Sequence, residues 1–72
     1  MTKLIPLKPR EVEVILLKNG FMVNRVKGSH KQFFHNQLKA HVTVPFHSKS
    51  IPTGTLRSIV NQSKLDVDLF RR

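Results

Sequence analysis

The chain contains no cysteine, so neither a disulfide nor a thiolate-held metal is available to it. That absence suits a reducing compartment. Tryptophan and tyrosine are missing as well, which leaves five phenylalanines as the only large rings, most of them needed for a core. Acids are scarce: Glu11, Glu13, Asp66 and Asp68 are the whole set. Two-metal phosphoryl chemistry needs several converging carboxylates. Each pair here is spaced by two, which separates its members around a helix. Both pairs fall at predicted helix starts, where capping and the helix dipole account for them. Carboxylate-based metal catalysis is therefore disfavoured. A Ser-His-Asp triad fails too, because no acid has an obvious reason to orient a histidine. No apolar run approaches the ~20 residues of a spanning helix, and the first residues hold no stretch long enough for a secretory signal. A cytoplasmic protein with no membrane partner is the expectation.

What the chain does have is positive charge. Thirteen Lys and Arg give a formal net charge of +9 on 72 residues. On so small a body that is costly self-repulsion unless a polyanion binds. Nucleic acid is the first candidate, since cations that neutralise phosphates release counterions. The basic residues are spread along the chain, so a folded charged face fits better than a basic tail. The length suits one domain, residues 1–72, near the lower limit for a core without staples.

Hydrophobic spacing gives the element order. Met1 to Leu7 reads as a lead-in. Pro9 suits the first position of a helix over residues 9–19, with Val12, Ile15 and Leu16 inward and Gly20 as the stop. Phe21–Lys27, Lys31–His35 and Ala40–Pro45 read as short strands, joined by connections so short that they favour an antiparallel meander. Phe46–Pro52, with Ser48 in it, is a loop. A second helix begins near Thr53–Thr55, with Leu56, Ile59 and Val60 inward and Arg57, Asn61 and Lys64 outward. Asp66 is a plausible N-cap for a last turn whose Leu69 and Phe70 pack back. The expected fold is α+β: α-β-β-β-α, a three-stranded antiparallel sheet with two helices on one face and a short C-terminal helical turn. The other sheet face stays open.

Four histidines remain to be placed: His30, His35, His41 and His47. His35 and His41 fall near the ends of adjacent strands and could oppose each other, but two histidines without a third ligand make a weak metal site. His30 differs by context. It follows Gly28 and Ser29 at a strand junction, with Lys27 and Lys31 on either side. Glycine there permits a bend or a close backbone approach. Imidazole titrates near neutral pH and can pass a proton during phosphodiester cleavage. RNA brings its own nucleophile, the ribose 2′-hydroxyl, so a metal-free site needs only proton transfer and positive charge on the phosphate. By itself, a histidine after Gly-Ser is weak evidence for catalysis.

The wider pattern is more specific. Pro9-Arg10-Glu11-Val12, Leu16 through Phe21, Lys27-Gly28-Ser29-His30, Val42-Thr43-Val44-Pro45 with His47, and Ile51 through Ile59 occur in the order and spacing of a known family. The chain resembles the HicA toxins, small mRNA interferases of toxin–antitoxin pairs. The resemblance implies a fold like the double-stranded-RNA-binding domain, cleavage of mRNA with no metal or organic cofactor, growth arrest, and a HicB-like antitoxin that covers the His30 face. It puts the catalytic histidine at His30. One departure matters: many members carry a second histidine directly after the first, where this chain has Lys31.

From these readings His30 is the expected catalytic residue. Lys27, Ser29, Lys31, His47, Lys49 and Arg57 are the expected RNA-binding set. One histidine cannot easily be both acid and base in one step; His47, a lysine or water could fill the second role. The toxin alone is expected to be monomeric. The main rival is a non-catalytic double-stranded-RNA-binding module, which shares the element order and charge but usually has a lysine cluster at the second helix, where this chain has only Arg57. A DNA-binding regulator using the second helix is a weaker rival, because strands precede that helix.

Overall fold

The computed structural model describes residues 4–47 and 49–71. Residues 1–3 of the lead-in, and Ser48 in the loop, lie outside the described residues. Helix α1 runs Pro9–Lys18. Proline loses nothing at its first position, where a backbone N–H has no helical acceptor. The Lys8 N–H donates to Glu11 Oε1 at 2.8 Å, which satisfies a backbone donor at this end. Asn19 caps the other end, and Gly20 follows with φ of +93°. The Phe21 N–H then bonds Leu16 O at 3.0 Å. Phe21 thus belongs to the helix end, and the first strand starts one residue later than expected.

The strands are β1 (Met22–Lys27), β2 (His30–His35) and β3 (Ala40–Pro45). They pair antiparallel in the order β1-β2-β3. Helix α2 covers Thr53–Ser63, and a 3-10 turn covers Val67–Phe70. The observed architecture is the expected α-β-β-β-α layout with its short final turn.

Alternation along the strands decides which face is buried. Phe33 stands opposite Val42, and Ala40, Val42 and Val44 share its face. All four are buried against Val12 and Leu16 of α1 and Leu56, Ile59 and Val60 of α2. Each Val, Leu, Ile or Phe side chain among them contributes about 1.5–3 kcal/mol when fully buried. Both helices therefore cover one face. The opposite face presents His30, Gln32 and Phe34 of β2 with His41 and Thr43 of β3. Leu7 bridges to Ile51, so the lead-in fastens the loop before α2. Asp66 caps the last turn, accepting the Asp68 N–H at 2.9 Å. Phe70 is buried there, but Leu69 stays exposed, contrary to expectation. Adjacent residues of a tight helical turn point apart, so only one of them reaches the core.

The two outer strands are protected differently. On β3, the Thr43 N–H reaches Gln62 Oε1 of α2 at 3.5 Å. On β1, the register shifts between Val23 and Arg25, and Arg25 and Lys27 carry charge along the strand. A bulge and cations are common devices against edge-to-edge association.

Two glycines make opposite demands. A Cβ on Gly20 would stand 2.7 Å from His35 Nε2, at a backbone angle that disfavours side chains. Gly54, inside α2, has open space around it. Gly20→Ala is expected to destabilise the protein by about 1–3 kcal/mol, whereas Gly54→Ala is expected to be neutral or stabilising by up to about 1 kcal/mol. Thermal melts of the two variants check both signs.

Candidate active site

The β1–β2 hairpin closes with two residues, Gly28 and Ser29. Gly28 has φ of +59°, and Ser29 is not in the positive region. A positive φ at only the first loop position is the pattern of a type II′ turn, which matches strand twist. With so short a loop, β2 begins at His30, one residue earlier than expected. His30 pairs with Lys27 on one side and Pro45 on the other. Its side chain is exposed on the open sheet face, with the Lys27 side chain beside it on that face.

The chain after β3 returns to this turn. The Phe46 N–H donates to Ser29 O at 2.6 Å. That bond fastens the loop to the hairpin tip and brings His47 against His30. The two rings lie edge to face, centroids 5.8 Å apart at 80°. Both histidines are exposed, and exposed Lys49 follows in the same loop. Lys27, Ser29, His30 and His47 are thus gathered at one end of the sheet.

Lys31 is placed differently from the expectation for it. It shares the helical face with Phe33, because side chains alternate along β2. Its Nζ lies 2.9 Å from Glu13 Oε2 of α1 and 4.7 Å from the centroid of the Phe46 ring. Its ammonium is therefore engaged beneath the site, while its neighbour His30 faces outward. Arg57 is exposed on α2, in the helical layer. It does not join the group on the open face.

The other two histidines are also separated. The register sets His35 opposite Ala40 and His41 opposite Phe34, so they do not face each other as the sequence suggested. His35 Nδ1 accepts the Leu38 N–H at 3.1 Å, and its ring packs edge-on against Phe21 at 5.0 Å. That is structural work in the β2–β3 turn. His41 rests on Phe34 with ring centroids 4.6 Å apart. Among the described residues, no three His, Asp or Glu side chains are grouped to hold a metal ion. Sequence reasoning missed Phe46, whose backbone holds the turn and whose ring lies under Lys31. A single aromatic just beyond a strand has no periodicity to mark it.

These features define a class: a small, strongly basic α+β domain with two exposed imidazoles and a lysine at one hairpin tip. The family model described as HicA toxin of bacterial toxin–antitoxin matches residues 9–65, which include α1, the whole sheet and α2. The chain belongs to the HicA toxin family, the toxin side of a toxin–antitoxin pair. No curated protein sequence matches it. No helix among the described residues is long and apolar enough to cross a membrane.

The two neighbouring lysines separate experimentally. Lys31→Ala leaves the half-buried Glu13 carboxylate without its ion pair and Phe46 without its cation, and is expected to cost about 1–2 kcal/mol. Lys27→Ala is expected to stay within about 0.5 kcal/mol of the wild type. Urea unfolding curves for both variants measure the difference.

Proposed function

We propose that this chain is a metal-independent endoribonuclease that cleaves mRNA, arrests growth, and is neutralised by a HicB-like antitoxin. The observation that carries this reading is the exposure of His30 on the open, basic face beside Lys27, at the tip of the type II′ turn. Family membership supplies the toxin role. The exposed imidazoles and the neighbouring lysine support the cleavage chemistry.

In this reading the ribose 2′-hydroxyl attacks the adjacent phosphate, and His30 takes or gives a proton in that step. Lys27 places positive charge at the phosphate, where charge develops in the transition state. Ser29, His47 and Lys49 line the path of the RNA backbone, and Arg57 extends the basic surface along α2. Lys31 supports the turn from below through Glu13 and Phe46. The toxin acts as a monomer in the cytoplasm. Its antitoxin covers the His30 face and presents acidic groups to it, which relieves the charge repulsion of the free toxin.

The test is expression of wild type and His30→Ala in cells, following growth and mRNA integrity together. Wild type is expected to stop growth and deplete mRNA. His30→Ala is expected to do neither while remaining folded and retaining RNA affinity, since an exposed side chain contributes little to stability. A His30→Ala protein that still depletes mRNA would overturn the reading. Wild type that binds RNA but leaves it intact would favour a binding module instead.

A further inference from the structure

We infer that His47 is the second proton-transfer group of this site, so that His30 and His47 divide the acid and base roles between them. The inference rests on the ribonuclease reading above. It comes from three observations. The His30 and His47 rings lie 5.8 Å apart, centroid to centroid. The Phe46 N–H bond to Ser29 O holds the two backbone segments together immediately before His47 and His30. Both imidazoles are exposed, so a phosphate can reach them.

The separation suits the chemistry. An acid and a base in an in-line displacement each need to come within ~3 Å of their own oxygen, on opposite sides of one phosphorus. Two rings at this spacing can straddle a single phosphate after a side-chain rotation. The other candidate groups are poorer. Lys31 is engaged with Glu13 on the other face of the sheet. His35 is held by Leu38 and Phe21 in the β2–β3 turn. His41 lies at the far end of the open face, opposite Phe34, whereas His30 pairs with Pro45. Lys27 pairs directly with His30 across the hairpin and is assigned above to the charge of the phosphate.

The step balances without a metal or co-reactant. The neutral imidazole takes the 2′-hydroxyl proton as O2′ bonds to phosphorus. The bond from phosphorus to the 5′ oxygen breaks, and the protonated imidazole gives that oxygen its proton. The products are a 2′,3′-cyclic phosphate and a 5′-hydroxyl, and the two histidines finish with their protonation states exchanged.

The test uses the purified full chain and a short RNA that the wild type cleaves, with a matched RNA carrying sulfur in place of the scissile 5′ oxygen. A thiolate leaves without being protonated, so this substrate no longer needs the acid. On ordinary RNA, His30→Ala and His47→Ala are each expected to slow cleavage by roughly a hundred- to ten-thousandfold. On the sulfur substrate, one of the two variants regains the wild-type rate and the other does not. The inference is overturned if His47→Ala stays within about threefold of wild type on ordinary RNA, since loss of an acid or base costs far more. It is also overturned if sulfur rescues neither variant or both. Where His30→Ala stays slow in those outcomes, the ribonuclease reading survives. If His30→Ala itself cleaves normally, that reading falls and the inference falls with it. His47→Gln, which hydrogen-bonds but does not titrate, is expected to behave as His47→Ala does.

Discussion

The backbone bond from the Phe46 N–H to Ser29 O joins the loop after β3 to the hairpin tip that carries His30. Together with the Phe46 ring against Lys31 and the His47 ring against His30, it sets the place of His47 relative to His30. The same residue is held from beneath. The Phe46 ring lies under the Lys31 ammonium, which is bound to Glu13 of α1. A line of contacts thus runs from the helical layer, through the sheet, to the exposed turn. It ties the hairpin tip of this 72-residue domain to its helical layer.

Charge is arranged with similar economy. Each of the four acids has local work. Glu11 accepts the Lys8 N–H, Glu13 holds Lys31, Asp66 caps the final turn, and Asp68 pairs with Arg71. None of them stands on the open sheet face with His30. The cations far outnumber these acids, so the surface keeps a strong positive potential that attracts phosphate and resists close approach of another copy.

Much of the fold was legible from spacing. Val12 and Leu16, Leu56 and Ile59, and the alternation of Ala40, Val42 and Val44 each mark a buried face, and all are buried. Asp66 announced its turn as an N-cap. The arrangement of the candidate site was legible only in part. His30 was marked by Gly28-Ser29 before it, because a two-residue hairpin turn has a strong local signature. Lys31 lies on the helical face, as its alternation with Phe33 in the strand implies. Its partner Glu13 lies eighteen residues away in sequence, a separation that no local pattern encodes. The approach of His47 to His30 depends on register and on one loop hydrogen bond, both tertiary facts. The same holds for His35 and His41, which a single step of register sets on opposite faces.

The claim that unites these features is that the site uses the 2′-hydroxyl of RNA in place of a metal-bound nucleophile. The chemical ends of the cleavage products test it most directly. Purified toxin would be incubated with RNA in the presence of a chelator, and the fragments analysed by mass spectrometry. A 2′,3′-cyclic phosphate on one fragment and a 5′-hydroxyl on the other are the expected result. Fragments bearing a 3′-hydroxyl and a 5′-phosphate, or cleavage abolished by the chelator, would contradict it.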